Sequence, residues 1–206
     1  MEKSELRKIY LDKRARLTAA EVAKASREIA ERFFRNVELT PGCVVHTFIR
    51  IGRFNEIDTS MIYYRIWRDR PDIATAAPRT DLETGDIESV AFDASSEWNE
   101  NRFGIREPAA GRLIQPTDID VVIVPLLCFD RTGHRVGYGK GMYDRFLAAC
   151  RSDCIKVGVS LFTPVDEIGD VAASDVALDM CITPYTVFQF EVTRSAPPFS
   201  TAPWQQ

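Results

Sequence analysis

Histidine is scarce in this sequence: His46 and His134 are the only two, and no metal-ligand spacing links them. A zinc centre built on imidazoles is therefore not expected. Cysteine occurs at 43, 128, 150, 154 and 181, with no CxxC pair. An odd number leaves at least one thiol unpaired, and the apolar surroundings suit buried, reduced side chains rather than a disulfide framework. No apolar run approaches the roughly 20 residues that span a bilayer. Residues 1–16 are rich in charge and lack the apolar core of a secretory leader. Basic charge is not in excess either. The formal net charge is −4, which argues against a dedicated nucleic-acid binder. These absences predict a cytoplasmic protein with neither a membrane nor a nucleic-acid partner.

What is present is an ordinary globular composition. The 206 residues are 45% hydrophobic and 27% charged, enough for one domain with a real core. We assign that domain to residues 1–192 and a Pro-, Ser- and Ala-rich tail to 193–206. The pattern predicts a first helix over about 4–16. Thr18-Ala19-Ala20-Glu21 fits a capping box, and Val22, Ala25, Ile29 and Phe33 follow at helical spacing. Pro41-Gly42 breaks the chain. Strands are predicted at 43–49, 73–77, 87–92, 119–129, 155–161 and 178–183. Further helices are predicted from Thr59, as a cap, to Pro71, and over 142–150. Residues 95–117 read as a long excursion. The run at 119–129 suits a central strand buried on both faces, with Pro125 marking its end or a break. Strands alternating with helices imply an α/β sandwich with a mostly parallel sheet.

The richest stretch is Arg135-Val136-Gly137-Tyr138-Gly139-Lys140-Gly141-Met142-Tyr143-Asp144-Arg145, between the central strand and a helix. Alternating glycines allow close approach of backbone to a ligand. Amides at the following helix start face an anion, Lys140 adds a cation, and Arg135 can fork onto phosphate oxygens. Asp144 can hold a divalent metal beside phosphate. The same spacing also suits a plain turn with a surface ion pair. It is neither a Walker A loop nor GxGxxG. Asp130, in Asp130-Arg131-Thr132-Gly133, reads as a turn residue. On the first helix Lys3, Arg7, Tyr10 and Arg14 share one face, which suits either an anion or a solvated basic surface. Glu56, just before a helix, can accept hydrogen bonds from an amino-bearing heterocycle or serve as an ordinary helix-entry acid. The acids in Ala173-Ser174-Asp175-Val176-Ala177-Leu178-Asp179 can join Asp144 on a metal or remain loop charge.

In this order the pieces resemble the 5-formyltetrahydrofolate cyclo-ligase family, from Lys3 to about Phe190. The most specific string is Val124-Pro125 through Phe129-Asp130, then Gly133-His134-Arg135 through Phe146-Leu147. Lys3 to Arg7, Asn55 to Thr59, Phe103 to Pro108 and Asp175 to Thr183 support it. The resemblance implies a three-layer α/β sandwich related to the sugar-phosphate isomerase and CoA-transferase group. It implies a ligase that uses ATP and Mg²⁺ to close a ring on a formylated reduced folate. Lys3, Arg7 and Arg135 would then contact ATP, together with Gly137, Tyr138, Gly139, Lys140, Gly141, Met142 and Tyr143. Asp144 and Asp175 would be the metal acids. Ile51, Glu56, Tyr138 and Met142 would line the folate pocket, and Arg135 and Lys140 would stabilise the transferring phosphoryl group. One departure stands out: the family often carries Tyr where this chain has Met142. That motivates an alternative, a paralogue acting on another heterocycle. A second alternative is a non-catalytic nucleotide- or RNA-binding module built on the basic helix. The expected state is a monomer.

Overall fold

A computed structural model of the chain describes residues 1–81, 83–101 and 104–191. The tail at 193–206 and Phe103 of the Phe103 to Pro108 motif lie outside these.

Two helices open the chain, α1 (Lys3–Ala15) and α2 (Ala19–Asn36). The expected capping box forms. Thr18 Oγ1 accepts from the Glu21 amide at 3.2 Å, and Glu21 Oε2 accepts from the Thr18 amide at 2.8 Å. Two orphan amides are satisfied together, which fixes where α2 starts. Next come β1 (Val44–His46), α3 (Ser60–Asp69), β2 (Ala74–Thr80) and β3 (Ile87–Phe92). The strand predicted at 43–49 is cut short. The Phe48 carbonyl accepts the Thr59 hydroxyl at 2.6 Å and leaves the sheet. Thr59 stands at the N-cap of α3 as expected, but its side chain caps no amide of the helix and its hydroxyl donates to Phe48 instead. The Ser60 amide is met by Asp58 Oδ1 at 3.0 Å.

The region read as an excursion carries three short strands, β4 (Trp98–Glu100), β5 (Arg106–Pro108) and β6 (Leu113–Ile114). The predicted central run divides into β7 (Val121–Pro125) and β8 (Cys128–Phe129), with Pro125 ending the ladder. After β8 the chain folds back as β9 (Arg135–Val136). It continues through α4 (Met142–Ala149), β10 (Ile155–Val159), β11 (Met180–Ile182) and β12 (Val187–Gln189).

The main sheet runs β12-β11-β10-β7-β1-β2-β3-β6. Its five middle strands, β11 to β2, are parallel, and β12, β3 and β6 join antiparallel at the edges. Alternation along β7 divides the core. Val121 and Ile123 pack with Ile29 and Phe33 of α2 and Ile62 and Ile66 of α3. Val122 and Val124 pack with Phe146 and Leu147 of α4. With side chains alternating between faces, this gives the expected three layers. Leu6 and Tyr10 of α1 pack instead on the β8–β9 hairpin. All five cysteines are free thiols.

His46 is fully buried on β1, with Nδ1 2.9 Å from Ser89 Oγ. Burial pushes its imidazole down to about 3. The unfolded chain takes up this proton near pH 6.5 and the folded chain does not. Its contribution is therefore whole above that pH and lost as pH falls toward 3. From pH 7 to pH 5 this one group should cost about 2 kcal/mol. Urea midpoints at both pH values test this, with the acid loss clearly smaller in His46→Gln. An equal loss in both proteins would assign the effect elsewhere.

Candidate active site

Three segments converge where the parallel strands end. The β8–β9 hairpin is set by Asp130, whose Oδ1 accepts from the amides of Thr132 at 2.9 Å and His134 at 3.0 Å. That is the turn role expected of it. The glycine loop follows β9. Gly139 has φ +92, and a Cβ there would lie 3.1–3.2 Å from the Arg7 guanidinium. Glycine is favoured by this left-handed backbone, and a Cβ would also press on the Arg7 side chain. Arg7 Nε donates to the Gly137 carbonyl at 3.0 Å, which ties helix to loop. Gly141, at φ +63, turns the chain into α4.

Against this loop lies a cavity of about 550 Å³, a size suited to small-molecule sites. Phe48, Thr80 and Pro125 border it just beyond β1 and at the ends of β2 and β7. It therefore lies at the carboxyl ends of parallel strands, where open α/β sheets bind ligands. Every site residue that the family resemblance implied lines this cavity: Lys3, Arg7, Ile51, Glu56, Arg135, Gly137 to Asp144, and Asp175.

One part of the lining is charged. Arg135 is 9% exposed; its Nη2 donates to Asp144 Oδ1 at 2.7 Å and its Nη1 donates to the Val176 carbonyl. Asp144 Oδ1 also accepts from the Val176 amide at 3.1 Å. Lys3 Nζ pairs with Asp175. Burial pulls the Arg135 guanidinium below its ordinary value, opposed by the charges of Asp144 and Asp175. Partial burial works against ionised Asp175, yet the bonds from Lys3 and the Ala172 amide hold it below the usual carboxylate value. Among the described residues no group of three or more His, Cys, Asp or Glu side chains could hold a metal. Asp144 and Asp175 offer two carboxylates, both close to Arg135.

The other part is apolar around one buried acid. Glu56 is 4% exposed. Its Oε2 accepts from the Ile51 amide and its Oε1 from the Tyr138 hydroxyl, each at 2.6 Å. Burial raises its pKa, opposed by Tyr138, Ile51 and Arg14. Asn55, left-handed at φ 48, sets up this loop. Its Nδ2 donates to the carbonyls of Arg14 at 3.1 Å and Leu17 at 3.0 Å. Asparagine tolerates that conformation better than most residues. The ring of Phe54 lies 5.6 Å from that of Tyr138. Phe48, Ile49, Phe54, Ile87 and Ile105 also line the cavity and were not singled out from the sequence. Two of them carry a signal: Phe54, which directly precedes Asn55-Glu56, and Ile105, inside the Phe103 to Pro108 string.

The basic face of α1 does not act as one stripe. Lys3 and Arg7 line the cavity, Tyr10 packs edge-on against Phe162, and Arg14 is buried. Regular helical spacing cannot show that the surroundings change along the helix.

Comparison with known proteins agrees with this geometry. The 5-formyltetrahydrofolate cyclo-ligase family matches residues 1–184. The chain is 29% identical over 162 residues to the 5-formyltetrahydrofolate cyclo-ligase of Escherichia coli, covering 76% of this chain and 87% of that one. A shorter match, 45% identical over 47 residues, links it to the enzyme of that name in Mycoplasma genitalium, spanning 23% of this chain and 28% of that protein. The solved 5,10-methenyltetrahydrofolate synthetase of Aquifex aeolicus superposes with a TM-score of 0.79 at 28% identity, covering 98% of this chain and 99% of that one. A match running from Met1 past the last parallel strand, with the same fold throughout, establishes that this chain belongs to the 5-formyltetrahydrofolate cyclo-ligase family.

Proposed function

We propose that this protein converts 5-formyltetrahydrofolate and ATP into 5,10-methenyltetrahydrofolate, ADP and phosphate. The observation that carries this reading is that one cavity holds both a cation-rich glycine loop and a buried, hydrogen-bonded carboxylate. The first suits a triphosphate, the second the amino-bearing edge of a reduced pterin.

The formyl oxygen is a poor leaving group. Its attack on the γ-phosphorus releases ADP and gives an imidate phosphate. N10 then attacks the formyl carbon, closes the ring and loses its proton, while the C–O bond breaks and phosphate departs. The protein's part in this is alignment and charge. Lys3, Arg7 and the amides of the glycine loop bind the phosphates. Arg135 and Lys140 stabilise the transferring group. Tyr138 and Met142 border both ligands, Tyr143 borders ATP, and Ile51 and Glu56 orient the pterin. Asp144 and Asp175 would hold Mg²⁺, which when bound neutralises phosphate charge. Two carboxylates on one wall of a phosphate site, completed by phosphate and water oxygens, fit that cation's preferences.

Residues 1–192 act as one domain on this reading, which is supported by a family match over 1–184 and a main sheet whose last strand ends at Gln189. Five free thiols support a cytoplasmic setting for this protein, which we take to act as a monomer. No helix among the described residues is long and apolar enough to cross a membrane.

The test is near-ultraviolet absorbance of purified protein with 5-formyltetrahydrofolate, Mg²⁺ and ATP. Product absorbance should grow only with ATP and should stop when EDTA is added. No growth from folded protein that binds ATP would overturn the assignment. Growth that continues in EDTA would remove the metal role of Asp144 and Asp175.

A further inference from the structure

Arg14 differs from the other cations of α1. It is 3% exposed and does not line the main cavity. Its Nη2 donates to the Leu126 carbonyl at 2.6 Å and its Nη1 to the Tyr138 hydroxyl at 2.9 Å. Tyr138 in turn lies 2.6 Å from Glu56 Oε1. Among the described residues, Arg14 Nε finds no hydrogen-bond partner. A buried guanidinium with an unsatisfied N–H is costly to keep, so its place in the fold calls for a reason.

The chemistry of donors and acceptors supplies one. A guanidinium only donates. The Tyr138 oxygen must therefore accept from Arg14, and its single proton is left for Glu56. The Ile51 amide donates to the other carboxylate oxygen. Both oxygens of Glu56 thus face donors, which favours the ionised, accepting form. With Arg14 absent, the Tyr138 hydroxyl could turn and accept instead. Burial would then favour a protonated, neutral Glu56.

We infer that Arg14 is a positioning residue: it sets the direction of an Arg14–Tyr138–Glu56 relay and thereby keeps Glu56 as a hydrogen-bond acceptor for the N–H edge of the pterin. This inference rests on the proposed function. It also explains why an Arg and not a Lys stands here. The planar fork reaches the Leu126 carbonyl and the Tyr138 hydroxyl at once, which a point charge does less well.

The groups facing Glu56 are few. Arg14 comes from α1, Tyr138 from the glycine loop and Tyr143 from the start of α4. Arg53 and Lys140 line the same cavity. Asp58, two residues on, pairs with Arg50 at 3.4 Å. Arg14 and Tyr138 are the groups that oppose the effect of burial from outside Glu56's own loop.

The experiment measures initial rates from pH 5.5 to 8.5 for the wild type, Arg14→Met, Arg14→Lys and Tyr138→Phe, with folate and ATP varied separately. Arg14→Met should raise the folate KM at least about tenfold and leave the ATP KM within about twofold. The acid limb of kcat/KM for folate should move up by about one pH unit, because that limb reports the free enzyme. Tyr138→Phe, which breaks the relay at its middle, should show the same folate-selective rise and acid-limb shift. The double variant should then add little to either single change. Arg14→Lys should lie between wild type and Arg14→Met.

An unmoved acid limb, or equal rises in both KM values, would reduce Arg14 to a structural residue and overturn the relay. If Arg14→Met does not fold, Tyr138→Phe still decides the matter by the same two readouts. Wild-type turnover separates the two levels of argument. No cyclisation by the wild type would remove the proposed function, whereas normal wild-type turnover with unshifted variants removes only the relay.

Discussion

Arg135→Ala should lower turnover about a thousandfold while changing the folate KM by no more than a few fold. The side chain is nearly buried, is paired with Asp144 at 2.7 Å and feels the charge of Asp175 as well. It is thus a fixed cation at the charged wall of the cavity, held by protein partners. Fixed charge of that kind acts where charge moves during phosphoryl transfer, and the transition state gains more from it than the ground state does. The folate end is served by other residues, so folate binding should be largely spared. Arg135→Lys should recover only part of the loss, since it restores the charge without the fork that spans Asp144 and the Val176 carbonyl. Steady-state kinetics on protein with a native circular dichroism spectrum would check this. Turnover within tenfold of wild type would end the assignment of Arg135 to the transferring group.

Glu56→Gln should lower kcat/KM for folate about a hundredfold and leave the ATP KM nearly unchanged. The substitution keeps the shape and removes the charge. It also creates a conflict. Both carboxylate oxygens face donors, the Ile51 amide on one side and the Tyr138 hydroxyl on the other. A glutamine has only one accepting oxygen, so its NH₂ must meet one of those donors. The loop must then shift or leave a buried donor unpaired, and the pterin loses an ionised acceptor. Separate titrations of folate and ATP would distinguish this from a general collapse of the site. Equal weakening of both ligands would mean that Glu56 supports the loop and does not receive the substrate.

Much of this protein was legible before any fold was known, and the legible parts share a cause. The capping box at Thr18, the bounds of β3, the end of β7 at Pro125 and the start of α4 at Met142 are set by residues only a few positions apart. Propensity, periodicity and turn chemistry act over that range, so a reader of the chain can see them. The glycine loop and its neighbouring charges were visible for the same reason, and the long string around them already resembled the family to which the chain belongs. Short strands were harder. β4, β5, β6 and β12 are two or three residues long and gain their order from the partner strand, so they leave almost no pattern of their own.

What the sequence by itself determined was the set of helices, the parallel α/β layering and the identity of the charged and glycine-rich segments. The tertiary structure alone decided which of them meet. Lys3 reaches Asp175 across 172 positions and Tyr138 reaches Glu56 across 82, because strand order brings the ends of β1, β2 and β7 to one side of the sheet. It also decided that Arg14, about two turns beyond Arg7 on the face it shares with Lys3, Arg7 and Tyr10, is enclosed. Helical spacing fixes the direction in which a side chain points, but burial depends on what the rest of the chain packs against it.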